Sequence, residues 1–139
     1  MDNPGHIQTR QTPEKMDVRA PDGSEIRLLL DMERGGVCHC TLQPRTTSIA
    51  GVHKTIEEIW YCIQGQGQVW RKDGGQATVV DISPGVCLTI PTHTHFQFRN
   101  IGSVPLCIII TTMPPWPGPE EWVEVVGYWQ SEQYRDVLV

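Results

Sequence analysis

The chain has 139 residues, with 16 acidic residues against 11 Lys and Arg and a formal net charge of -5. That length suits one domain whose core buries roughly 68–70% of the unfolded surface, so neither metal nor disulfide is needed merely to fold. The basic residues are scattered without interleaved aromatics, which argues against nucleic acid as a partner, and the longest apolar run, around 106–110, is too short to span a bilayer.

Residues 1–23 are polar, carry three prolines and show no periodicity, and are expected to form a flexible arm. They open without an apolar h-region, so no secretory signal is expected there, and His6 is given no role. Residues 24–113 form the expected body. Short strand patterns recur at 25–30, 37–42, 58–63, 66–71, 77–82, 86–90, 96–100 and 106–112. They are separated by Gly- and Pro-bearing turns such as "RGG", "GQG", "DGG" and "SPG". Close, regular spacing of this kind predicts an all-β sandwich or barrel of antiparallel strands. Residues 114–139 are rich in Pro and Trp. A proline-rich link does not continue a strand ladder, so this tail is expected to pack on the barrel or on a partner subunit. The five cysteines all lie in strand-like segments, odd in number and with no C-x-x-C pair. They read as buried reduced thiols of a cytoplasmic protein.

The segment "HKTIEEIWYCIQG", 53–65, places His53 and two carboxylates at the head of a strand. Alternation puts Glu58, Trp60 and Cys62 on one face and turns Glu57 to solvent. A buried carboxylate without a partner is costly, so Glu58 calls for a cation or an acid–base role. In "VCHCTLQP" alternation sets His39 against Cys38 and Cys40; His39 is expected to point into the barrel, as a metal ligand or as a hydrogen-bonded core residue. His93 is read either as a ligand or as a solvated turn residue, Trp60 either as cavity wall or as plain core.

The segments 53–65 and 85–102 resemble the two sequence motifs of the cupin superfamily. Gly65 follows Glu58 after six residues, and "IPTHTHFQFRN" occupies the second motif's slot. The likeness covers 37–110. Thr55 stands where a second histidine is usual, His93 replaces a glycine, and ungapped counting puts Phe96 rather than His95 at the second-motif histidine. The resemblance implies a jelly-roll barrel and is similar to the small bacterial cupins that include aromatic polyketide cyclases. It further implies one divalent metal, zinc before iron or nickel, held by His53 and His95 with His39 and His93. Glu58 would then be the catalytic base and Trp60, Cys62, Phe96 and Phe98 the substrate pocket. The expected function is aldol-type cyclisation of an apolar, carbonyl-bearing small molecule. A non-haem iron dioxygenase and a non-catalytic small-molecule-binding cupin are the alternatives. A homodimer formed through strand edges and the arm is the expected assembly.

Overall fold

The computed structural model describes residues 7–133. Of the expected arm and tail, 1–6 and 134–139 therefore lie outside the described residues. The strands are β1 (Val18–Arg19), β2 (Glu25–Met32), β3 (Gly35–Leu42), β4 (Gly51–His53), β5 (Glu57–Gln64) and β6 (Gly67–Asp73). They continue with β7 (Gln76–Ile82), β8 (Cys87–Ile90), β9 (His95–Asn100), β10 (Leu106–Met113) and β11 (Trp122–Glu124), the last preceded by a 3-10 turn, Pro119–Glu121. Two antiparallel sheets result, one of six strands in the order β1-β2-β3-β10-β5-β8 and one of five in the order β11-β4-β9-β6-β7. The fold is an all-β jelly-roll sandwich. Among the described residues no helix is long and apolar enough to cross a membrane.

Each long strand sends alternate side chains inward, as a pleated backbone requires. Cys40, Trp60, Cys62, Ile108 and Ile110 come from the larger sheet and Val69, Phe96 and Phe98 from the smaller, and they form one core cluster. The flat, two-sheet core leaves two sheet exteriors. That of the smaller sheet is covered in part by the tail: Gln97 bonds both the N–H and the carbonyl of Trp129 at 2.9 Å, and the Arg99 guanidinium lies 4.3 Å from the Trp129 ring centre.

Three short strands, β1, β4 and β11, are absent from the expected pattern, because two or three residues are too few to show alternation. The first of them lies within the expected arm, where Val18 and Arg19 pair with Ile26 and Glu25. The last comes from the tail, where Glu121 does the anchoring. Its carboxylate accepts the N–H groups of Thr55 at 2.7 Å and Ile56 at 3.0 Å, as well as the Thr55 hydroxyl. Burial opposes ionisation of Glu121, but these bonds outweigh it and hold the carboxyl below its usual range. The chain from Pro114 to Glu121 is thereby fixed across one end of the barrel, and β11 pairs with β4 beside it.

Gly51 makes that pairing possible. A Cβ there would occupy the space of the Trp122 indole. Gly51→Ala is therefore expected to destabilise the fold by about 1–3 kcal/mol, the usual penalty of overpacking a rigid neighbour. Urea unfolding measures it, and a midpoint equal to the parent's would contradict the packing described.

Candidate functional site

Glu58 starts the inward row of β5 and is 8% exposed. Its carboxylate accepts the Trp60 indole N–H at 2.9 Å and the Thr112 hydroxyl at 3.0 Å. Burial pushes its pKa from 4.5 up to about 7, only partly offset by those two bonds, with the charges of Asp22 and Glu121 adding to the rise. Asp22 is itself buried and raised by that burial, its carboxylate held by the N–H and hydroxyl of Ser24 at 2.9 and 2.7 Å. This barrel interior disfavours negative charge.

Across from it, His53 is 3% exposed and lies against Phe96, ring centres 5.0 Å apart, and Trp116, 5.9 Å apart. Burial pulls its pKa from 6.5 down to about 4, although Glu121 acts in the opposite direction. The imidazole is neutral at pH 7. Trp122 stands directly opposite His53 on the neighbouring strand. On the other side His93 donates its N–H to the His53 carbonyl at 3.2 Å, which brings the turn containing Thr94 alongside. Thr94 shares the inward parity of Phe96 and is buried. His53 Nδ1, Trp122 Nε1 and Thr94 Oγ1 are all buried without a hydrogen-bond partner. Three such atoms share one end of the barrel.

The four histidines expected to surround a metal are not brought together. His39 pairs with Arg27 and Ile109 and faces away from the interior, because Cys40, at 1% exposure, takes the inward position and Cys38 packs against the core. The facing expected for β3 is thus reversed. Burial and the Arg27 charge lower the His39 pKa. His93 is exposed and adopts φ +69°, the left-handed conformation that explains why a glycine is usual at this position. His95 has the parity opposite to Phe96, so its side chain lies on the outside of β9 while Phe96 fills the inward place. Only His53 points in. Among the described residues no three of His, Cys, Asp and Glu are grouped so as to hold a metal ion. The donor set does not fit the divalent ion that the motifs imply.

The expected pocket residues Trp60, Cys62, Phe96 and Phe98 are each at most 2% exposed. Trp60 packs edge-on against Phe96 at 5.7 Å and Phe98 at 5.0 Å, so they fill the barrel as core. Open space lies at its rim, in two depressions that share Thr55. One of about 540 Å3 is lined by Lys54, Thr55 and the 117–121 segment; another of about 550 Å3 is lined by Glu33, Arg34, Thr55, Glu57, Thr92, Met113 and Pro114. Thr94, Thr112, Trp116, Glu121 and Trp122 escape a motif-based reading. The alternation of Trp122 and Glu124, and a glycine two residues before His53, were the available signals of a strand there and of a close approach. The five cysteines are free; Cys87 is exposed and Cys38 half-buried, the others buried.

Glu58 and His53 make opposite pH contributions. A carboxyl raised on folding contributes stability fully below its unfolded pKa and loses it as pH rises through the folded value; a lowered imidazole loses its contribution as pH falls. The Glu58 loss thus runs from pH 4.5 to about 7 and the His53 loss from 6.5 down to about 4. The unfolding free energy of Glu58→Gln relative to the parent is expected to increase with pH between those two Glu58 values, by up to about 3 kcal/mol. Chemical denaturation across pH 4 to 8 checks this, and a difference independent of pH would contradict a buried, raised carboxyl.

Comparison with known proteins agrees with this architecture. The family model described as Cupin domain matches residues 38–112, just over half of the chain. An uncharacterized protein of Methanocaldococcus jannaschii, MJ1618, is 29% identical over 100 residues, spanning 68% of this chain and 77% of that one. The capsular polysaccharide assembling protein CapF of Staphylococcus aureus superposes with a TM-score of 0.69 at 18% identity, over 81% of this chain and 34% of its own. Oxalate decarboxylase of Lactobacillus farciminis, in its formate complex, gives 0.65 at 18% identity, over 75% and 32%. The chain thus spans about a third of each of these two solved structures, and at such identity the likeness is one of fold. With the matched segment running from β3 to β10, this chain belongs to the cupin family.

Proposed function

We propose that this cupin binds an uncharged, oxygen-bearing small molecule at the end of the barrel capped by Trp116, without a resident metal. The observation that carries the reading is that three of the five buried polar atoms left without partners among the described residues, His53 Nδ1, Trp122 Nε1 and Thr94 Oγ1, lie on neighbouring strand ends, the other two being His39 Nδ1 and Arg71 Nε elsewhere. Each such atom costs about 1–3 kcal/mol, and native interiors leave few of them. A carbonyl oxygen can accept from an indole N–H and a threonine hydroxyl at once, and a hydroxyl can also pair with a neutral imidazole. An anion is disfavoured, because the neutral His53 offers no charge and the interior acids repel it. The rim depression formed by Lys54, Thr55 and the 117–121 segment, the chain neighbours of His53 and Trp122, has a volume of about 540 Å3, within the range of roughly 300–1,000 Å3 typical of small-molecule sites.

A second, catalytic reading is favoured by Glu58 alone. A carboxyl titrating near 7 in a dry interior is matched to take and return a proton beside a carbonyl at neutral pH. That is the proton transfer that aldol-type cyclisation of a poly-β-keto chain needs. Metal-stabilised enolate chemistry and iron-dependent oxygenation are not supported, because the histidines that would hold the ion face apart.

Calorimetry with a panel of uncharged aromatic ketones and phenols, set against the matching carboxylates, tests the binding reading. Ketones or phenols are expected to bind and carboxylates not. Thr94→Val, which keeps the side chain's shape but loses the hydroxyl, should weaken binding by about tenfold, the worth of one hydrogen bond. Selective binding of carboxylates, or equal affinity in the variant, would overturn it. Mass analysis of the recovered ligand separates the two readings, since only the catalytic one converts it.

A further inference from the structure

His53 Nδ1, Trp122 Nε1 and Thr94 Oγ1 are all buried, so a ligand reaches them only if something moves. Most of their surroundings are tied down. β4 pairs with β9 and with β11, and the Glu121 carboxylate is held by three donors from Thr55 and Ile56. The exception is the stretch 114–118, which runs from the end of β10 toward that anchor. Both its ends are fixed, yet among the described residues 114–117 make no backbone hydrogen bond to the barrel. Within the stretch, the Trp116 indole meets the His53 ring edge to face at 5.9 Å and remains 39% exposed.

The sequence "PPWPGP", 114–119, suits a stiff piece with two joints. Proline holds φ at about −65°, so in this run that torsion is free only at Trp116 and Gly118. Gly118 sits at φ +139°, a conformation other residues rarely adopt, and nothing lies within 4 Å of where its Cβ would be. Open space flanks the stretch on both sides. One depression of about 550 Å3 touches it at Pro114, another of about 540 Å3 at Pro117 and Gly118, and Thr55 lines both. Trp116 stands between them in the chain.

We infer that the stretch 114–118 is a lid over His53, and that the Trp116 indole rests in the place a flat, uncharged aromatic ligand takes when the lid turns aside. Rotation at Trp116 and Gly118 lifts the indole and joins the two depressions above His53. The indole suits the part of internal occupant, being planar, neutral and equipped with a single N–H. A lid of this kind lowers apparent affinity in proportion to the time it stays closed, because only the open form admits the ligand. The class of ligand rests on the reading given above; the lid itself does not.

Chemical labelling tests the lid without any ligand. Diethyl pyrocarbonate modifies accessible imidazoles and N-ethylmaleimide accessible thiols, and peptide mass analysis reads His53 and Cys40 separately. Cys40, 1% exposed in the core, reports opening of the whole barrel. In the parent, each rate being taken relative to the urea-unfolded chain, His53 is expected to be protected roughly tenfold less than Cys40, the mark of local opening. Trp116→Ala should speed His53 labelling several-fold further and leave Cys40 unchanged, which also shows that the variant is folded. With 4-hydroxyacetophenone as the probe, calorimetry should find the variant binding about two- to tenfold tighter, the worth of one aromatic pair that no longer competes. Equal protection of His53 and Cys40 in the parent, His53 labelling unchanged by the substitution, or weaker probe binding in the variant would overturn the lid. Failure of every aromatic to bind would sink the ligand reading, while the labelling still decides the lid.

Discussion

Side chains along a β-strand point alternately to opposite faces, and in this barrel that alternation decides which chemistry is available inside. On β9 the inward positions belong to Phe96 and Phe98, and on β3 to Cys40 and Leu42. His95 and His39, each one residue out of step, are on the exterior. A shift of one residue in either strand would exchange the whole set of faces, and the pairing of β9 with β6 and of β3 with both β2 and β10 holds the register. The interior is consequently aromatic and aliphatic where its motifs suggest imidazole, and His53 is left as a lone, neutral histidine.

Two buried acids and one buried base then set the character of the open end. Glu58 is tied to Trp60 and Thr112, and Glu121 is tied to the Thr55–Ile56 backbone. The roles differ: Glu121 is held ionised by its donors and fixes the tail across the barrel, while Glu58 is desolvated more strongly than its two donors can offset. The tail is therefore part of the site. It delivers Trp116 against His53 and Trp122 beside it; both follow from the Glu121 anchor, and the Trp122 indole also needs the missing side chain of Gly51.

The long strands were legible because eight-residue stretches such as β5 and β10 carry both alternation and bounding turns. β4 and β11 were not, since three residues hold no period, and β11 follows a run of prolines that reads as a linker. Period 2 gave the relative facing of Cys38, His39 and Cys40 but not its sign; that depends on which neighbours fill the core. The strong tendency of cysteine to be buried pointed the right way, whereas the motif likeness favoured the imidazole. For β9 the ungapped count, which puts Phe96 in the histidine slot, agrees with the observed packing. The row of unpartnered atoms was beyond sequence reasoning, since it joins residues from the second motif, the first motif and the tail.

Titration of the histidine rings by nuclear magnetic resonance, with and without one equivalent of zinc, tests the central claim most directly. The account predicts that His53 remains neutral down to about pH 4 and that zinc produces no joint shift of His39, His53, His93 and His95. Stoichiometric, simultaneous shifts of His53 with two or more of the others on adding zinc would contradict it, because those rings would then share one ion inside the barrel.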